Sequence, residues 1–289
     1  MKGVKEIKSR IRAVDNASKI TLAMQLVAAS KMKRAQDNAI SSRPYLMRLM
    51  EIVARLSDVE RKKNLHPFFA EREGNRRCII VISTDRGLCG VLNNNLFRCI
   101  PNDPNASFIS VGRKAMQFLS RGKYNLIASF SVNDRVQYHE LTGICDFVGK
   151  LYLDKEVDSV EVLFQHFVNT LHYIPSFQKI LPMVTGTFPS VENVTTIKPI
   201  KQDPRPLIFE PSKSQIIDHI ARIFLKYDLH QVMLEAKASE QSARMIAMKN
   251  ATDNAEALSQ ELKLDYNKAR QYAITNEIIE LAAAAGGQK

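Results

Sequence analysis

Ser83-Thr84-Asp85-Arg86-Gly87-Leu88-Cys89-Gly90 is the stretch of this sequence where a nucleophile, an acid and a glycine turn stand together. It follows a short apolar run and precedes a helix-like one, the position at which α/β proteins place phosphates or nucleophiles. Its composition argues against both uses. It matches neither GxGxxG nor GxxxxGK[ST], has no lysine to reach a phosphate, and gives Cys89 no basic neighbour to form a thiolate. A tight structural turn is the simpler reading.

Other reactive types are scattered. Cys78, Cys89, Cys99 and Cys145 show no CxxC spacing and no matching histidine pair, which predicts reduced, mostly buried thiols and neither a zinc site nor a disulfide framework. His66, His139, His166, His172, His219 and His230 never fall four apart on a helix and join no readable triad, so no metal is expected. Asp253 and Glu256 lie three apart on a long polar helix, where acids ordinarily face solvent. No cofactor and no small-molecule substrate are expected.

The elements that would position these residues are dominated by two helical stripes. From Val4 the apolar residues recur in threes and fours through Ile7, Ile11, Val14, Ala17, Ile20, Met24, Ala28, Met32, Ala35 and Ala39, then Leu46, Leu49, Val53 and Leu56. Pro44 predicts a bend or break near Arg43, because it removes a donor and crowds the preceding turn. A straight helix of roughly 50 residues would reach about 80 Å, more than a compact domain needs. The second stripe opens at Ser212 and Gln215, which have capping-box spacing, and runs almost to Gly286. Its seam reads clearest over Met245, Met248, Ala251, Ala255, Leu258, Leu262, Tyr266, Ala269 and Ala273, with small residues that let a partner helix approach.

Between the stripes the pattern changes. Cys78 to Ser83 is β-branched and apolar; Phe108 to Val111 and Asn125 to Ala128 read as further strands, with helices over Val91 to Ile100 and Arg113 to Ser120. A helix over Asn133 to Asp154 and late strands over Ser159 to Phe167 and Thr170 to Val184, paired antiparallel, complete the region. Alternating strands and helices predict parallel pairing. The fold class is therefore α/β: a long antiparallel coiled coil of the N- and C-terminal helices plus a central Rossmann-like α/β domain. The expected divisions are a first helix over 1–56, a linker over 57–77, the α/β domain over 78–184, a loop or foot over 185–211 and a last helix over 212–285.

A formal charge of +11 suits a nucleic-acid binder, a protein resting on anionic lipid, or one enclosed by an acidic partner. No apolar run approaches the roughly 20 residues of a membrane span, and the charged start is not a signal peptide, so the chain is expected to stay on the side where it is made. Lys2, Lys5, Lys8, Arg10, Arg12, Lys19, Lys31, Lys33 and Arg34 make the first helix strongly positive. Nucleic-acid binding would favour stacking aromatics, and these helices have few. Ala29, Ile274, Ile278, Ile279 and Leu281 lie outside or at the end of the seam, which makes a protein sheath plausible.

Segments near the start, in the middle and near the end together carry a resemblance. Lys19-Ile20-Thr21-Leu22-Ala23-Met24-Gln25-Leu26-Val27-Ala28-Ala29-Ser30-Lys31-Met32 resembles KITxAMxxVAASKM, and Ser83 to Gly90 matches STDRGLCG. Ala238 to Met245 with Met248 to Ala255 resembles ASEQxARMxAMxxATDNA, and Asn267 to Gln271 with Ile274 and Thr275 resembles NKARQxxIT. These are signatures of the gamma subunit of F-type ATP synthases. The resemblance spans the chain, with Ile100 to Glu210 matching loosely.

The resemblance implies a non-catalytic rotor shaft inside a ring of alpha and beta subunits, with its α/β domain meeting epsilon and the membrane c ring. By matched position, Arg270, Gln271 and Thr275 would meet the beta loops that grip the shaft. Met24, Lys31 and Arg34 would face an acidic lever of beta, and the tail after Ile274, with Ile278, would sit in an apolar bearing. Phe209 and Glu210 fall where the family sets its foot on the c ring. The redox-regulatory insertion of chloroplast members is not matched, and Met1 opening the helix is closer to bacterial members. The implied place is the cytoplasmic face of the bacterial plasma membrane, or the mitochondrial matrix face in a eukaryote. From the residues alone two other readings stay open: a free-standing α/β enzyme or nucleotide sensor centred on Asp85 and Cys89, and a basic coiled-coil nucleic-acid binder.

Overall fold

The computed structural model describes residues 2–61, 66–183, 210 and 212–286. They form two compact units, Ser30–Ala243 and Met1–Ala29 with Arg244–Lys289. The long helices α1 (Lys2–Arg61) and α5 (Lys213–Gly286) contribute to both.

The larger unit is built on a five-stranded sheet. Its elements are β1 (Arg77–Ile82), α2 (Leu92–Arg98), β2 (Ala106–Val111), α3 (Arg113–Arg121), β3 (Asn125–Phe130), α4 (Thr142–Leu153), β4 (Ser159–Phe167) and β5 (Tyr173–Leu181). The strand order is β3-β2-β1-β4-β5. The apolar run of β1 takes the centre, where both faces are covered. β2 and β4 flank it in parallel, β3 extends the parallel side, and β5 closes the other edge antiparallel to β4.

Alternation along β1 sorts its side chains between two layers. Cys78, Ile80 and Ile82 join the core made with α4 and the long helices, including Ala39, Leu49, Phe224 and Leu225. Ile79 and Val81 meet Leu96 of α2 with Ala115 and Leu119 of α3. Several boundaries differ from expectation. The helix expected from Asn133 starts only at Thr142, behind a 3-10 turn at Tyr138–Leu141. Val136 sits at φ 47°, outside helical space, and the Glu140 carboxylate accepts from the Asn133 and Gln137 amides. β5 begins at Tyr173 because the Asn169 side chain accepts the Leu171 and His172 amides in a turn. Val184 and the loop expected over 185–211 lie outside the described residues, Glu210 excepted.

Pro44 does not break α1, which runs through it as helix to Arg61. Contacts on both sides hold the segment against the lost backbone bond. Ala39 and Leu49 are buried, the Ser42 hydroxyl donates to Gln231 Oε1 at 2.7 Å, and Tyr45 packs on Tyr227 with ring centroids 4.4 Å apart. Tertiary packing here outweighs a local cost of about 3 kcal/mol.

The smaller unit is an antiparallel helix pair. The Asp15 carboxylate accepts from the Ser259 hydroxyl at 2.6 Å, and the Thr21 and Thr252 hydroxyls bond at 2.7 Å, so partners descend α5 as they climb α1. The covered stripe on α5 runs through Met245, Met248, Thr252, Ala255, Ser259, Leu262, Tyr266, Ala269 and Ala273, with Ile246, Ala247 and Ala251 half-buried beside it. On α1 it runs through Val4, Ile7, Ile11, Val14, Ser18, Thr21, Gln25 and Ala28, with Asp15, Met24 and Ala29 half-buried beside it. This corrects part of the sequence-based seam. Ser259 replaces Leu258, and Ser18 and Thr21 replace Ala17 and Ile20, while Thr252 joins a still half-buried Ala251. A 3.5-residue period fixes which positions face inward, and hydroxyls that pair across the seam can occupy them. Ile20 is left 61% exposed and Leu258 44% exposed.

Candidate functional site

In the turn at Ser83–Gly90, Ser83, Thr84, Asp85 and Cys89 help to hold the larger unit together, while Arg86, Gly87, Leu88 and Gly90 are exposed. The Ser83 hydroxyl accepts the Ala115 amide at 2.7 Å, and the Asp85 carboxylate accepts the Arg113 amide at 3.0 Å, so both serve the start of α3. Asn93 accepts from the Thr84 amide and donates to the Thr84 hydroxyl and to Cys89 Sγ. Gly112, at φ 96°, passes so close to the Ser83 carbonyl that a Cβ there would collide with it. Cys89 also packs on Leu92, Ala243 and Tyr173. Burial also pushes the Cys78 and Cys145 thiols up to about 12, away from any thiolate chemistry. The fourth cysteine, Cys99, is exposed.

Ala243 closes the segment Ala238-Ser239-Glu240-Gln241-Ser242-Ala243, which is buried throughout. The Ser239 hydroxyl donates to the Gln165 carbonyl at 2.9 Å and that of Ser242 to the Thr170 carbonyl, at the end of the β4–β5 hairpin. The turn and this part of α5, distant in sequence, thus form one joint. Its charges are paired: Lys237 Nζ is 3.0 Å from Glu240 and 3.7 Å from Asp134, which also bonds Lys31 at 2.6 Å.

A different surface lies on the smaller unit. Its seam mixes apolar residues such as Ile7, Ile11, Val14 and Leu262 with the hydroxyls of Ser18, Thr21, Thr252 and Ser259, and further apolar residues point outward: Leu26 is 62% exposed, Leu264 63%, Tyr272 73% and Ile278 60%. Ile20, Leu22, Val27, Ile274 and Ile279 are exposed as well. Water-facing apolar residues at this density mark a surface that a protein partner covers. Lys5, Lys8, Arg10, Arg12 and Lys19 stand exposed among them and supply positive charge.

The predicted contact residues are distributed as follows. Arg270, Gln271 and Thr275 are exposed on α5, in the same unit as Ile278. Met24 is half-buried in that unit too, three residues past the Thr21–Thr252 bond, whereas Arg270 lies eleven residues past Ser259 toward the opposite end of the helix pair. Lys31 and Arg34 belong to the larger unit; Arg34 is exposed and Lys31 bonds Asp134. Glu210 is exposed, and Phe209 lies outside the described residues. Sequence reasoning missed Leu26, Leu264 and Tyr272 as outward residues; their offset from the 3.5-residue seam was the available signal.

These observations define a helical shaft surface joined in one chain to an α/β domain. The ATP synthase family model matches residues 3–286. The chain is 42% identical to the ATP synthase gamma chain of Opitutus terrae and 39% identical to that of Methylacidiphilum infernorum, over 98% of each chain in both cases. Among solved structures it resembles a chain of the Euglena gracilis mitochondrial ATP synthase OSCP/F1/c-ring, with TM-score 0.66 at 16% identity over 99% of this chain and 96% of that one. A chain of the Tetrahymena thermophila central stalk/c-ring gives TM-score 0.59 at 23% identity over 80% and 99%. The chain belongs to the ATP synthase gamma-chain family.

Proposed function

We propose that this chain is the central rotor shaft of an F-type ATP synthase, coupling proton-driven rotation of the c ring to ATP synthesis in an alpha3-beta3 head while carrying no catalytic site of its own. The observation that carries this reading is the long antiparallel helix pair that leaves Leu26, Leu264, Tyr272 and Ile278 exposed on its outside. A rod that needed only to be stable in water would gain nothing from large apolar residues there. The divisions expected from sequence, 1–56 and 212–285 as shaft helices, 57–77 as linker, 78–184 as the α/β domain and 185–211 as the foot, fit this role, except that Ser57–Arg61 continue α1 and Arg77 opens β1.

The shaft acts mechanically. A face that met every beta conformation equally would shift none of them, so the asymmetry of its contacts is what biases nucleotide affinity. Arg270, Gln271, Thr275 and Ile278 contact the alpha and beta subunits near one end, and Met24, Lys31 and Arg34 contact beta elsewhere. Phe209 and Glu210 reach the c ring, and epsilon binds the α/β domain. Among the described residues no helix is long and apolar enough to cross a membrane, so attachment runs through the c ring. The chain works at the cytoplasmic face of the bacterial plasma membrane, or at the matrix face in a mitochondrion. It binds no nucleic acid.

Arg270→Ala tests the contact assignment. An exposed pair contributes only about 0 to 1 kcal/mol, whereas a pair desolvated in a sheath costs about 2 to 5 kcal/mol when one partner is truncated. The substitution should leave the helix content of the isolated chain unchanged and slow ATP turnover of the assembled complex severalfold. Melting of the free helix pair with no loss in the complex would make Arg270 a structural residue. Co-purification with alpha and beta supports the shaft; robust ATP hydrolysis by the isolated chain, lost on Cys89→Ala, would support an enzyme instead.

A further inference from the structure

A buried acid in the larger unit has no part in the shaft surface. Asp228, on α5, is 2% exposed, and Gln178, on β5, is 1% exposed. Gln178 Nε2 donates to Asp228 Oδ1 at 2.7 Å, yet Gln178 Oε1 is buried with no hydrogen-bond partner. A carboxylate beside that oxygen would leave it unsatisfied, at a cost of a buried acceptor. A protonated acid would not.

We propose that Asp228 carries a proton on Oδ2 and donates it to Gln178 Oε1, so that acid and amide close a neutral two-bond ring that clips β5 to α5 and opens when the proton is lost.

The surroundings favour the neutral form. Among the described residues no cation pairs with Asp228. Glu235, one of the charged groups acting on it, lies on the same helix and repels it, its own charge turned to His166 Nδ1 of β4 at 2.9 Å. Asp228 in turn acts on the Cys145 thiol of α4, which burial keeps neutral. Lys226 of α5 acts on Cys145, but its ammonium donates to the Thr142 hydroxyl and lies 4.1 Å from the Tyr138 ring centre. Burial, opposed by the Gln178 amide bond and assisted by Glu235, pushes Asp228 up to about 7. Its unfolded value is about 3.9, so the folded chain holds the extra proton between about pH 4 and pH 7. Stability from this group is therefore fully present at the acid end, falls as pH rises through that window, and is level above it. The clasp stands on contacts within this chain and holds whether or not the rotor reading does.

Infrared difference spectra of the full-length chain, wild type minus Asp228→Asn at about pH 6, test it. A protonated-carboxyl stretch should be present and should fade as pH rises through about 7. In Gln178→Met the band should persist and move to higher wavenumber, because the acid carbonyl loses its donor. Thermal melting of the wild type should fall over the same window and that of Asp228→Asn should not. No carboxyl band in the difference, or a band that Gln178→Met does not move, overturns the proposal. Should Asp228→Asn fail to fold, the titration of the band in wild type and in Gln178→Met decides alone.

Discussion

The two units solve the burial problem to different degrees. In Ser30–Ala243 the large apolar side chains are inside, and polar residues that are buried, such as Ser239 and Thr84, bond the backbone or each other. In the helix pair the inside mixes Ile7, Ile11, Val14 and Leu262 with Thr21, Thr252 and Ser259, while Leu26, Tyr272 and Ile278, no less apolar, face out. The first arrangement makes a self-sufficient domain. The second makes sense as one half of an interface, whose stability the chain shares with whatever encloses it.

The largest effect that could break this contrast belongs to the sheet unit. Leu119→Ala removes a fully buried side chain beneath α3 and should cost about 2 to 5 kcal/mol, measured by chemical denaturation of the isolated chain. Leu26→Ala, on the outside of the helix pair, should change that denaturation by no more than about 0.5 kcal/mol while weakening assembly with alpha and beta. Equal costs at the two sites would erase the distinction between the units.

A subtler effect concerns the seam. Thr252→Val removes the bond across the seam, leaves the Thr21 hydroxyl its bond to the Ser18 carbonyl, and should cost no more than about 1 kcal/mol in the melting of the helix pair. Combining it with Thr21→Val should add little further loss, because the bond the two share is already gone. A double variant clearly weaker than the single one would show that these hydroxyls act separately.

The smallest effect is electrostatic. The Arg76 guanidinium bonds Asp158 and holds its carboxyl below the usual range, burial opposing it in part. An acid lowered on folding contributes stability above its unfolded value, and that contribution is lost as pH falls through the folded value. Acid denaturation below about pH 4 should therefore become shallower in Asp158→Asn. An unchanged acid limb would place the proton uptake elsewhere.

Much of the larger unit was readable in advance because β-branched runs such as Cys78–Ile82 have one good place, the centre of a covered sheet. The hairpin and the 3-10 turn shifted the predicted boundaries, since Asn169 and Glu140 act through side-chain bonds that periodicity does not register. Pro44 was misjudged because the contacts of Ser42 and Tyr45 that hold α1 across it come from residues some 180 positions away. The seam was misplaced by one residue at Leu258 and Ile20 because apolarity was taken to mean inward. In a helix made to be enclosed it means outward as well. The signature segments pointed to the family, whereas the burial of Ala238–Ala243 needed the fold, because polar residues such as Glu240 and Gln241 read as surface until their partners are known.

The central claim is that the apolar exterior of the helix pair is a protein-covered face. Covalent footprinting of Leu26, Tyr272 and Ile278, compared between the isolated chain and its complex with alpha and beta, tests it most directly. Strong labelling in isolation, lost on assembly, with the buried Ile79 and Leu119 unlabelled in both states, is the result this account predicts. Labelling of Leu26, Tyr272 and Ile278 that is the same in the complex as in the free chain would contradict it.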